Sequence, residues 1–265
     1  MMGARPRATL VRVVAAGVAV VAIFACGDLL TDPDAVASMS VTRAYPSIVV
    51  GDVLRDSSGV EAPLLVSLAN FKGDVLDAGT VTVSSLDSLL EIEPGGLPRA
   101  LGESGARGRI AISAGGLQVL DTIPITVPPD SVEPSVEADT VRTLSGTAIE
   151  LYGSKELSVR VLNAGTDPAI TVNGWVVSFR LQFHERFLSP LDTSAAWLVQ
   201  GETGGKPSWV DTTAAGIAGR RVLIRADSLA SPDDSVIVHA TVRYLGEEIR
   251  GSPVRLIVRT RPNAP

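Results

Sequence analysis

Trp175-Val176-Val177-Ser178-Phe179-Arg180-Leu181-Gln182-Phe183 decides the fold class. Trp175, Val177, Phe179, Leu181 and Phe183 fall at every second position and alternate with Val176, Ser178, Arg180 and Gln182. A period of two sends successive side chains to opposite faces of a pleated strand, so one face here belongs in a core and the other in water. The pattern recurs where Val236, Val238, Ala240, Val242 and Tyr244 alternate with Ile237, His239, Thr241 and Arg243. Leu245-Gly246-Glu247-Glu248 then supplies a turn, and residues 249–258 read as a return strand.

The rest of the chain has the same character. Hydrophobic residues make up 45% and charged residues 20%, a globular balance, and the 4% of aromatics leaves Val, Ile, Leu, Thr and Ser to form short runs. Candidate strands at 47–50, 64–68, 79–84, 110–113 and 119–127 are separated by Gly, Pro, Asp and Ser, the spacing of a sandwich rather than of βαβ units. Ala114-Gly115-Gly116-Leu117 predicts a hairpin in which glycine supplies positive φ. Val127-Pro128-Pro129-Asp130-Ser131-Val132-Glu133-Pro134 reads as an extended, semi-rigid connector that holds two domains apart. The expected organisation of the 265 residues is a leader at 1–25, an acidic tether at 26–37, a first sandwich at 38–127, a linker at 128–134, a second sandwich at 135–261 and a tail at 262–265.

Two resemblances refine the all-β reading. Val81-Thr-Val-Ser-Ser-Leu-Asp-Ser-Leu-Leu-Glu-Ile92, with Gly96-Leu97, Ala100-Leu101-Gly102 and Gly105 before Arg109-Ile-Ala-Ile112, resembles the group 2 bacterial immunoglobulin-like domain; Val83 stands nearest the place of that family's usual Trp. Leu157-Ser-Val-Arg-Val-Leu-Asn163, Gly165-Thr-Asp-Pro168, Val172-Asn-Gly174 and Val177-Ser-Phe179 resemble the invasin-type, group 1 domain, and Asp211-Thr-Thr-Ala-Ala-Gly216-Ile-Ala218 looks like its Asp-x-x-Gly-x-Ala corner. The resemblance implies two immunoglobulin-like antiparallel β-sandwiches in tandem.

At the N-terminus, Arg5, Arg7 and Arg12 precede an uncharged apolar run over 13–25, the order of an export signal. The run is shorter than the roughly 20 apolar residues that span a bilayer as a helix. Ile23-Phe24-Ala25-Cys26 resembles the lipobox of bacterial lipoproteins, with Phe24 bulkier than that family's usual residue. The resemblance implies cleavage between Ala25 and Cys26 and acylation at Cys26. Cys26 is the only cysteine, so no intrachain disulfide is available. Gly27, rather than Asp, after the cysteine implies by the same resemblance sorting to the outer membrane.

The formal charge is −6, and after residue 25 the chain carries 20 basic and 29 acidic groups, or −9, which argues against nucleic acid as a partner. Residues 26–130 hold 6 basic and 14 acidic groups, and residues 131–265 hold 14 and 15, with arginines crowding towards the end; a basic face there meets an anionic surface or is simply a solvated strand face. His184 and His239 are the only histidines, read as solvent-facing, and neither has partners at zinc-ligand spacing. Asp28, Asp32 and Asp34 lack the turn of a calcium loop, so no metal is expected. The carboxylate pairs Glu91/Glu93, Asp233/Asp234 and Glu247/Glu248 lie on a strand edge or in turns and do not suggest a glycosidase. Trp175 fits the apolar stripe of a core; Trp209, after Gly204-Gly205, is a candidate contact residue or a packed corner. The expectation is a lipid-anchored envelope protein with no enzymatic activity and no cofactor, held to the membrane by its N-terminal lipid. It would serve as spacer, adhesion or interaction module for an envelope protein or glycan, with an accessory subunit, or an enzyme with a degenerate site, as alternatives.

Overall fold

The computed structural model describes residues 35–143, 151–201, 206–229 and 234–262. Among them the chain is all-β, two immunoglobulin-like sandwiches in tandem, interrupted by a 3-10 turn at Ala226–Ser228. In the first sandwich, Val36–Thr42, Leu65–Asn70 and Val75–Leu76 form one sheet, and Ile48–Val49, Leu117–Thr126, Arg107–Ala114 and Thr82–Ser85 form the other. Met39, Val41 and Leu68 from one sheet and Ile110, Ile112, Ile123 and Ile125 from the other are buried between them. The glycine hairpin forms as expected: Gly115 and Gly116 take φ of +57° and +80°, the mirror-image turn whose twist matches two right-twisted strands. A Cβ on Gly115 would stand 2.8 Å from the Leu68 side chain, so packing as well as φ selects glycine. The first strand takes in residues 36 and 37 of the expected tether.

The second sandwich pairs a sheet of Ser131–Val136, Leu157–Asn163, Ile217–Arg225 and Leu151–Gly153 with one of Ala138–Thr143, Val254–Pro262, Ser235–Thr241 and Val176–Phe183. The decisive stripe lies as read: Val177, Phe179, Leu181 and Phe183 are buried, as are Val236, Val238, Ala240 and Val242. The return strand lies later than the expected 249–258, because the chain turns at Gly251 and re-enters the sheet as Val254–Pro262. Within the core, Arg220 is buried against Asp211 at 3.0 Å, donates to Ser208 O at 3.1 Å and lies over the Phe179 ring. That pair and its hydrogen bonds satisfy a charge that would otherwise be costly to bury.

The proline-rich connector is not a free linker. Ser131–Val136 is an edge strand of the second sandwich, antiparallel to Leu157–Asn163, with Pro134 opposite Val159. A proline at a sheet edge forfeits no obligatory ladder bond, so its presence does not bar the segment from the sheet. Before it, Asn163 Nδ2 donates to Pro128 O at 2.8 Å, and the Asp130 carboxylate accepts from the amides of Ala164 (2.7 Å) and Gly165 (2.9 Å). Burial works against that charge, but the Ala164 and Gly165 amides, with Arg250 nearby, hold the Asp130 carboxyl below the usual range. A carboxyl depressed in the folded state stabilises above its unfolded pKa, about 3.9, and loses that contribution as pH falls through the folded value. Asp130→Asn is therefore expected to cost about 1 kcal/mol at pH 7, allowing for solvent screening. In thermal melts against pH the gap between variant and parent should close below about pH 4, and a constant gap at all pH values would contradict the assignment.

Candidate interaction surfaces

Cys26 and Ala25, the expected lipidation and cleavage positions, lie outside the described residues. What the described residues bring together instead is a joint between the sandwiches. The antiparallel register that pairs Ser178 with Thr241, carried three residues further, brings Trp175 and Tyr244 to the same end of the second sandwich. Their rings meet edge to face with centroids 5.8 Å apart, and Trp175 Nε1 donates to Arg243 O at 3.1 Å. From the first sandwich, Tyr45 packs on Trp175 with centroids 4.8 Å apart, and its hydroxyl accepts from Val176 N at 3.1 Å. Ser47 Oγ donates to Gly174 O at 2.9 Å. Burial pushes the Tyr45 phenol well above the ordinary tyrosine value, the Val176 amide opposing only in part, so Tyr45 stays neutral. The expected separation of the domains does not occur: the buried apolar residues of both sandwiches form one contiguous cluster through this joint.

The joint also explains an unusual backbone. Leu245 and Gly246, at the turn between Arg243–Tyr244 and Glu247–Glu248, have φ of +50° and +83°. A left-handed leucine costs roughly 1–2 kcal/mol, and it is held where the turn abuts the loop around Gly59. A Cβ on Gly59 would stand 2.6 Å from Leu245 Cα, and one on Gly246 would stand 2.8 Å from Ser58 O. Backbone meets backbone there, which two glycines allow. Sequence reasoning placed Trp175 in a core without showing that the first sandwich covers it. The available signal was two aromatics, Trp175 and Tyr244, ending neighbouring apolar stripes at the same end of a sheet.

The two histidines sit apart. His184 is exposed, with Nε2 2.7 Å from an Asp234 carboxylate oxygen. His239 is half-buried, 2.9 Å from Gln182 Oε1 and tilted against Phe187. Burial, then the charges of Arg255 and Arg180, hold His239 below the usual histidine value, so it is neutral at pH 7. Trp209 is half-buried at the edge of the same sheet, where its carbonyl accepts from Phe179 N at 2.7 Å. Beside it Arg180, Phe187 and Pro190 line a shallow groove. Its indole N–H is closed off from solvent and has no acceptor among the described residues, so the ring serves packing at this corner and lines the groove only by its side. Among the described residues, no three or more His, Cys, Asp or Glu side chains are grouped to hold a metal.

The joint is open to direct test. Tyr45→Phe keeps the ring stack but leaves Val176 N–H without its acceptor, an expected loss of about 1–3 kcal/mol in equilibrium unfolding. Trp175→Ala removes the stack and should cost about 3–5 kcal/mol. In solution scattering the Trp175→Ala protein should show a broader distribution of lengths than the parent; unchanged profiles for both would mean that the joint does not hold the sandwiches together.

The sequence matches no family model and no curated protein. Among solved structures, domains 4 and 5 of the S-layer protein SbsC are similar over 87% of this chain and 100% of their own length, at 11% identity and a TM-score of 0.30. The Yersinia pseudotuberculosis adhesin InvE is similar over 84% of this chain and 58% of its own, at 13% identity and a TM-score of 0.32. The I9–I11 tandem of titin is similar over 84% and 65%, at 9% identity and a TM-score of 0.27. Overlap at this level carries no information about ligand or partner.

Proposed function

We propose that this protein is a lipid-anchored, non-enzymatic module of the bacterial cell envelope, a two-sandwich spacer that presents its second sandwich to a partner in a set orientation. The observation that carries the reading is the Tyr45–Trp175–Tyr244 joint, because a chain that seals two domains into one apolar cluster keeps their relative orientation at the expense of flexibility. The export leader and Ile23-Phe24-Ala25-Cys26 supply the attachment: two or three acyl chains, at about 0.8 kcal/mol per buried methylene, hold a protein stably on a bilayer. Gly27 favours the outer membrane as its destination. The hydrogen-bond partners of His239 and His184 among the described residues are Gln182 and Asp234, and neither is a Ser, Thr or Cys that an imidazole base would activate. The contact assigned to a glycan or envelope-protein partner is the Trp209 and Val210 edge of the second sandwich, where the indole lines a groove by its side.

Attachment is tested by the N-terminal peptide of the protein recovered from its own envelope. Mass spectrometry is expected to find cleavage before Cys26 and the mass of two or three acyl chains on it. Cys26→Ser should lose that mass and move the protein from the membrane to the soluble fraction. A wild-type N-terminal peptide without acyl mass would refute the anchoring.

A further inference from the structure

The outward positions of one sheet of the second sandwich carry arginines, and Glu248, paired with Arg243, stands at their margin beside Arg180. Along Val254–Pro262 the inward residues Val254, Leu256, Val258 and Thr260 are buried, and Arg255, Arg259 and Arg261 between them are exposed. The register of the sheet adds Arg142 opposite Arg261 and places Arg180, His239 and Arg255 in one row across three strands. No Asp or Glu occupies an outward position of the four strands among the described residues. Asp139 belongs to the inward set of Ala138–Thr143, its carboxylate accepting the Lys155 amide at 2.7 Å. Arg142, Arg180, Arg255 and Arg259 have no ion-pair partner among the described residues.

Such an array does not serve the fold. Like charges facing one another across strands about 5 Å apart destabilise a sheet, and in a chain of net charge −6 composition does not explain them. The cations are all arginines, whose planar fork matches phosphate oxygens in pairs. The rim is apolar: Phe187, 48% exposed, lies beneath the Arg180 guanidinium, and Leu191, 88% exposed, follows in the next loop. Nucleic acid would find no use for that exposed leucine, and an acidic peptide would need apolar side chains of its own spaced to meet Phe187 and Leu191. A bilayer interface takes both kinds of side chain, because guanidinium groups reach headgroup phosphates and apolar side chains enter the acyl boundary just below.

We propose that the outer face of the sheet bearing Arg180, Arg255, Arg259 and Arg142 docks on a bilayer rich in anionic phospholipid, with the arginines on headgroup phosphates and Phe187 and Leu191 at the acyl boundary. The inference rests on the membrane attachment argued above, since a lipid anchor holds the face close to the headgroups and makes a weak surface attraction sufficient.

The test uses the chain from residue 26 onwards with Cys26→Ser, so that no acyl group contributes, and vesicles of phosphatidylcholine with or without 30 mol% phosphatidylglycerol. Acyl attachment is read separately by the mass of the wild-type N-terminal peptide, so failure of docking and failure of anchoring are distinct results. Expected are sedimentation with the phosphatidylglycerol vesicles only, release as salt is raised, and retention in 10 mM inorganic phosphate. Arg255→Gln with Arg259→Gln should weaken partitioning by roughly 25-fold, about fivefold per arginine, and Phe187→Ser with Leu191→Ser should weaken it further. Arg107→Gln with Arg160→Gln removes the same charge elsewhere and should change binding less than twofold. Equal losses in both arginine pairs, binding independent of phosphatidylglycerol, or displacement by free phosphate would overturn the proposal. So would a face-dependent dimer in sedimentation without vesicle binding, which would assign the face to a second copy of the acidic chain. All these side chains are at least partly exposed, and an unchanged melting temperature confirms that each variant is folded.

Discussion

Tyr45 lying on Trp175 is the contact on which the shape of the molecule depends. Each sandwich has its own buried layer, and that layer alone would leave two globules on a string. A tryptophan at the open end of the second sandwich changes this, because its large apolar surface must be covered by something. The cover comes from the first sandwich, and the polar atoms exposed by that choice are all accounted for: Trp175 Nε1 on Arg243 O, Val176 N on the Tyr45 hydroxyl, Ser47 Oγ on Gly174 O. The left-handed Leu245 and the two glycines beside it follow from the same closeness of approach.

What could be read from the amino acids was whatever depends on near neighbours. The alternation through Phe179 placed every inward side chain of its strand, since a period of two leaves no other face for them. Ala114-Gly115-Gly116-Leu117 was legible for a similar reason, as two adjacent glycines at a hairpin need only their own φ values. The Pro-rich stretch was misread because proline's rule against sheets is a rule about interior strands, and whether a strand lies at an edge is decided by residues far away, here Leu157–Asn163. The joint was hidden on the same grounds: Tyr45 and Trp175 are 130 positions apart, and nothing local to either announces the other.

The arginines show an intermediate case. Their crowding towards the end of the chain is visible in the sequence, and the alternation of Val254, Leu256 and Val258 even indicates that they share a side. Missing was the parallel pairing that brings Arg142 beside Arg261, and the row that sets Arg180 and Arg255 on either side of His239. A neutral histidine between two guanidinium groups keeps that row from repelling itself further.

Each sandwich opens with a strand that crosses from one sheet to the other and then runs parallel to the last strand: Ile48–Val49 beside Leu117–Thr126, and Ala138–Thr143 beside Val254–Pro262. Pulling the two ends of such a unit apart slides these strands along each other, so their hydrogen bonds are loaded together rather than one after another. The second sandwich offers six paired residues to that load and the first offers two. Under tension the chain would therefore lengthen at its first sandwich before its second.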